Sequence, residues 1–203
     1  MGKIRFMFFV VAICIGVTNV LAQQQVTVRM RGTISNFDGH VLQIYSREGN
    51  VLKVNVSDDT KINVLAALNL SHLKPGTFVG VTAIQTGPGT PLQAREVHIF
   101  PESMRGTGEG HYDWDLEPGS SMTNANVDAI VSTNNGEELT LSYKGGNQKI
   151  VVSQDVPIIT FNSADRSLLR VGAQIFVISQ QNPDGQYIAL RILLGTDGMK
   201  PPM

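Results

Sequence analysis

Only one cysteine occurs in the 203 residues, Cys14, and it lies inside an apolar run near the amino terminus. No disulfide can form within the chain, and nothing past that run can act as a thiol nucleophile or a thiolate ligand. Histidine is scarce too, at four residues, and there is a single tryptophan, Trp114. No stretch after the first apolar run is long enough to span a bilayer as a helix, which needs about 20 apolar residues, so a helical permease or channel is excluded. Charge of one sign is also lacking: 16 Lys and Arg stand against 17 Asp and Glu. That balance argues against general binding to nucleic acid or anionic lipid.

Familiar catalytic spacings are missing as well. There is no Gly-x-Ser-x-Gly elbow, and Gly119-Ser120-Ser121 lacks a strand-to-helix setting. Gly106-x-Gly108-x-Gly110 is not followed by a helical pattern, as a phosphate cradle would be. The acidic pairs Asp58-Asp59 and Glu137-Glu138 fall at turns, where solvated charge is the default. No catalytic residue, metal site or cofactor is therefore expected, and the chain reads as a non-enzyme.

The amino terminus is distinctive. Lys3 and Arg5 precede the apolar run 6–17, and Val20-Leu21-Ala22 gives a small-x-small end. This predicts a secretory signal peptide over 1–22, cleaved after Ala22, and a periplasmic or secreted protein. Ile13 stands where a lipobox needs a small residue, so Cys14 is not a lipidation site. Loss of Lys3 and Arg5 leaves 14 basic residues against 17 acidic, a net charge of about −3.

The rest of the chain reads as two copies of one unit. Thr33-Ile34-Ser35-Asn36-Phe37-Asp38-Gly39 corresponds to Ile130-Val131-Ser132-Thr133-Asn134-Asn135-Gly136, and Leu42-Gln43-Ile44 to Leu139-Thr140-Leu141. Ser71-His72-Leu73-Lys74-Pro75-Gly76 corresponds to Ser167-Leu168-Leu169-Arg170-Val171-Gly172. Gln93-Ala94-Arg95-Glu96-Val97 corresponds to Ile188-Ala189-Leu190-Arg191-Ile192. The near-constant offset predicts a tandem repeat, with one copy over 26–102, a glycine-rich linker over 103–125, a second copy over 126–195 and a disordered tail over 196–203.

Within each copy, short alternating runs are separated by Asp-Gly, Asn-Gly and Pro-Gly turn signals. Residues 65–73 and 163–169 read as short helical patches. Three strands, a short helix and two strands make the order of an OB-like barrel. The expected fold is all-β with minor helix: two tandem OB-like five-stranded barrels, each with a short helix between its third and fourth strands. A β-sandwich built from both copies is the alternative.

The phrases around Gly32–Ile44, Leu73-Lys74-Pro75-Gly76 and Leu92-Gln93-Ala94-Arg95-Glu96-Val97 also resemble those of bacterial exported small-barrel domains of unknown function. The resemblance is fuller over 26–100 than over 126–194, where Ile188-Ala189-Leu190 replaces Gln93-Ala94-Arg95. It implies fold and export, and it transfers no catalytic residue.

The best site candidate is His111-Tyr112-Asp113-Trp114-Asp115, which puts an imidazole, two carboxylates and two aromatics in one loop. It suits a small ligand, or a divalent metal on His111, Asp113 and Asp115; the structural alternative is a linker that plugs the groove between barrels with Trp114 and Leu116. His40, His72 and His98 have no counterparts in the second copy and read as solvated or edge histidines. Arg29, Arg31, Tyr45 and Arg47, with Tyr143, Lys144 and Lys149, are too thin a set for a strand-binding face. Met199 and Met203 are too few for a copper site. The functional expectation is a non-enzymatic exported binding or scaffold module of the bacterial envelope, partnered by an envelope protein or small ligand. A metal-handling accessory protein and a motif-less hydrolase are the alternatives.

Overall fold

The computed structural model describes residues 26–196 and 199–201. The expected signal peptide, its cleavage position and Met203 lie outside them. Thirteen strands occur in the described chain: β1 (Val26–Phe37), β2 (Val41–Ser46), β3 (Val51–Asn55), β4 (Lys61–Leu68), β5 (Phe78–Gln85), β6 (Leu92–Ile99), β7 (Gly110–Asp113), β8 (Ser120–Thr133), β9 (Gly136–Tyr143), β10 (Gly146–Ser153), β11 (Ile158–Ser163), β12 (Gln174–Gln181) and β13 (Tyr187–Leu194). The turn signals act as read. At Asp38-Gly39, for example, the Asp38 carboxylate accepts from the backbone N–H groups of His40 and Val41, and Gly39 takes φ 99°.

The strands pair in the order β10-β9-β8-β5-β6-β11-β4-β13-β12-β1-β2-β3. Pairing of β13 with β3 closes β3-β13-β12-β1-β2 into a five-stranded ring. Pairing of β10 with β6 closes β10-β9-β8-β5-β6 in the same manner. The protein is thus all-β and contains a closed five-stranded β-barrel, an arrangement that leaves its strands no open edge.

Ring membership departs from the expected tandem arrangement. Strands β1, β2 and β3 are completed by β12 and β13 from the far end of the chain, while β8, β9 and β10 are completed by β5 and β6. Each ring therefore draws strands from both the amino-terminal and the carboxyl-terminal part of the chain. Sequence patterning sets which residues face inward, but it does not choose between equivalent partners.

The expected helices are absent. Residues 65–68 end β4, and only a three-residue 3-10 turn, Leu70–His72, follows. Residue 163 ends β11, followed by the 3-10 turn Arg166–Leu168. Leu65, Ala66, Ala67 and Leu68 favour helix in isolation, but β4 pairs with β11 on one side and β13 on the other, and that pairing prevails. These two strands bridge the rings, since β11 also pairs with β6.

Nor are residues 103–125 a linker. They form a 3-10 turn, the hairpin strand β7 and the start of β8. The described residues of the carboxyl end are ordered by contacts: Thr196 Oγ1 donates to the Leu65 carbonyl, Met199 packs on buried aromatics, and the buried Pro201 accepts from Arg47.

Burial divides into three clusters. Val79, Val81, Val97, Ala125, Leu139, Leu141 and Ile150 are among those filling the β8 ring. Ile34, Leu42, Ile44, Val54, Ile175, Val177 and Ile192 are among those filling the β1 ring. The third cluster lies between the rings: Leu65, Phe78, Phe100, Ile159, Phe161, Phe176 and Leu193. In β5, Val79, Val81 and Ala83 face into the ring while Phe78, Gly80 and Thr82 face the junction, so the strand is buried on both sides.

Candidate functional site

The junction is not completely filled. A cavity of about 200 Å³ lies against the third cluster, with a largely apolar lining. The β1 ring contributes Thr27, Arg29, Phe176, Ile178, Arg191 and Leu193. The other side supplies His98 and Phe100 at the end of β6, Phe161 of β11, and Met122 and Asn124 of β8. Tyr112 and Trp114, on and just beyond β7, complete the wall.

Two bulges help to aim these side chains. The pairing of β5 with β6 shifts between Thr82 and Ala83, making Arg95 an extra residue. Ala94 and Val97 then point into the ring, and Glu96 and His98 point to the junction. The pairing of β12 with β13 shifts likewise at Ile178/Ser179 and turns Arg191 and Leu193 to the junction. Gly80 lies opposite His98 on β5, where a Cβ would overlap the His98 ring and Asn124 Oδ1. Glycine is what lets that imidazole lie flat across the strand.

An aromatic group forms one wall. The His98 ring meets Phe100 edge-on at 4.7 Å between centroids and Phe161 at 5.3 Å. Phe100 and Phe161 are 5.7 Å apart. Behind His98, Glu96 is 0 % exposed, with Oε1 3.5 Å from His98 Nδ1. Neither Glu96 oxygen has a hydrogen-bond partner among the described residues. Burial pushes this carboxyl above the usual glutamate range, against the smaller opposing effects of His98 and Arg31.

Opposite lies a cationic wall. The Arg29 guanidinium sits 4.1 Å above the Trp114 ring. Arg31 is buried over Phe176 and donates to Asp115 Oδ1 at 2.8 Å. Arg191 donates to Asn63 Oδ1 at 2.7 Å and contacts Met104 Sδ at 3.7 Å. Burial lowers its pKa. Three polar atoms of cavity-lining residues are buried without a hydrogen-bond partner among the described residues: His98 Nδ1, which faces Glu96, Trp114 Nε1 and Asn124 Oδ1. The Asn124 amide nitrogen is occupied, donating to the Thr107 carbonyl and the Tyr112 hydroxyl.

The His111–Asp115 segment divides according to strand geometry. Tyr112 and Trp114 turn inward, and His111 and Asp113 turn to solvent. His111 Nδ1 bonds Thr123 Oγ1 at 2.8 Å, and its ring lies near Tyr143. Asp115, past the strand end, is taken by Arg31. Among the described residues no group of three or more His, Cys, Asp or Glu side chains converges to hold a metal. Thus only the two aromatic members of the segment reach the cavity.

His98, expected at an edge, is buried in the wall, while His40 and His72 are exposed. Arg29 and Arg31 point into the junction, so they do not form an open nucleic-acid face. Glu96, Asn124, Phe161, Phe176 and Arg191 were not sequence candidates. One signal was present: the expected repeat pairs Glu96 with Arg191, a reversal of charge.

As a chemical environment, the cavity suits binding. His98 with Glu96 is a carboxyl–imidazole pair, yet no nucleophilic side chain hydrogen-bonds to the imidazole among the described residues. No helix of the described chain is long and apolar enough to cross a membrane. No family model, curated protein or solved structure matches the chain.

Proposed function

We propose that the chain is an exported, non-enzymatic binding module of the bacterial envelope that takes a small ligand in the cavity at the ring junction. On this reading its two halves are copies of one OB-like unit with their final strands exchanged. The carrying observation is the cavity itself: about 200 Å³, largely apolar, with Trp114 Nε1 and Asn124 Oδ1 buried and unpaired on residues that line it. Ligand sites commonly combine an apolar wall with a few polar groups that fix orientation. Buried polar groups ordinarily have partners, so these two favour an occupant that supplies them. Export and the envelope location are supported by the basic, apolar and small-residue sequence over 1–22 and by the absence of cysteine beyond it.

Titration with benzyl alcohol, followed through Trp114 emission and the methyl resonances of Met104, Met122 and Ile178, tests the cavity reading. Saturable shifts confined to these residues are expected. Absence of any shift, or shifts spread elsewhere on the surface, would overturn it.

A further inference from the structure

We infer that the ligand is a single-ring aromatic carboxylate, with its ring against Phe100, Phe161 and Phe176 and its carboxylate on Arg191. This rests on the cavity being a ligand site and goes further by naming what fills it.

Size limits the occupant. An apolar protein cavity of about 150 Å³ holds one benzene. The roughly 200 Å³ here leaves room for one ring and a small substituent, and not for a fused polycyclic molecule. The aromatic wall favours a ring, since offset and edge-on pairs add to simple burial.

Charge selects the substituent. Two guanidiniums line the cavity, Arg29 and Arg191, and no Asp or Glu does. Arg29 is committed to the Trp114 face and lies 3.8 Å from Asp115. Arg191 differs. Its partners, Asn63 and Met104, are both neutral, and no carboxylate pairs with it among the described residues. A half-buried guanidinium without an anion is costly, and a carboxylate offers it two parallel charge-assisted bonds. Glu96 stands on the opposing face, but its burial favours the neutral acid, which would not repel an incoming anion. A ring hydroxyl would find an acceptor in Asn124 Oδ1.

Calorimetric titration of the full protein with benzoate and with benzyl alcohol, its neutral counterpart, tests this assignment. Benzoate should bind at least about tenfold more tightly, the scale of one charge-assisted contact. Arg191→Gln should abolish that preference, and a cooperative melting transition with the wild-type circular dichroism shows that the variant is folded. If that variant does not fold, Arg191→Lys serves in its place and should keep only part of the preference. Equal binding of the two compounds by the wild-type protein would overturn the carboxylate assignment and leave the cavity reading intact. A benzoate preference that survives in Arg191→Gln, or stays whole in Arg191→Lys, would place the anion elsewhere and overturn it too. Binding of neither compound would defeat both readings.

Discussion

The guanidinium of Arg29 lies 4.1 Å above the ring of Trp114, and this contact joins the β7 hairpin to the β1 ring. It crosses from one end of the described chain to its middle. Nothing in the local sequence of either residue marks it.

Arg29→Gln should therefore loosen the hairpin without unfolding the protein. The expected loss is about 0.5–2 kcal/mol, the range for a cation over an aromatic face, measured by urea unfolding. Trp114 emission should shift to the red and iodide quenching should rise as the ring gains solvent.

Glu96 should make stability depend on pH in an uncommon direction for a carboxyl. Its folded pKa is raised by burial, so the folded state keeps a proton that the unfolded chain has released. The contribution is fully present below the ordinary glutamate value of about 4.3. It is lost as pH rises through the raised folded value, with a slope of at most about 1.4 kcal/mol per pH unit. Glu96→Gln should remove that slope, and melting temperatures of both proteins across pH 4 to pH 8, a window set by about 4.3 as its lower bound, would reveal it. Parallel curves would mean that the acid is not held neutral.

Gly80→Ala should be costly although it adds one methyl group. The new Cβ would overlap the His98 ring and Asn124 Oδ1, both on buried side chains. A loss of about 1–3 kcal/mol is expected from overpacking. Gly87→Ala is the control: its nearest neighbour would be Thr90 Cγ2 at 3.6 Å, and a change within about 0.5 kcal/mol is expected. Chemical denaturation of the two variants decides the matter.

Shared ring membership makes the amino- and carboxyl-terminal parts of the chain interdependent. Produced separately, residues 26–104 and 105–203 should each lack a cooperative thermal transition as monomers, because each supplies only part of every ring. Co-expressed, they should co-purify as a one-to-one complex with the β-rich circular dichroism of the intact chain. A half that unfolds cooperatively as a monomer would show that its strands can close among themselves.

Much of the fold was legible because alternation and turn chemistry are local. Asp38-Gly39 announced its turn, and the alternating runs on either side of it read as strands. The ring membership was not legible, because β5 and β12 present similar faces, and either could complete either ring by pattern alone. The stretch 65–68 misled because helix propensity is a property of the isolated segment, and β4 is flanked by two paired strands. At the cavity, Tyr112 and Trp114 were visible as an unusual cluster. Arg191 and Glu96 were hidden in ordinary-looking strands, and only their opposite charge at positions the expected repeat pairs hinted that the two ring faces are chemically unlike.

The pairing of Val26 with Gln181 also sets a timetable. As the chain emerges during synthesis, β1, β2 and β3 appear first and must wait, with edges open, until nearly the whole polypeptide exists. Contacts so distant in sequence make folding slow, and waiting edges invite pairing with other molecules. The β8 ring carries no such delay: β5 and β6 precede β8, β9 and β10 closely, so it can close while the carboxyl end is still being made. The molecule would thus assemble middle first, with its two ends meeting last across the finished ring.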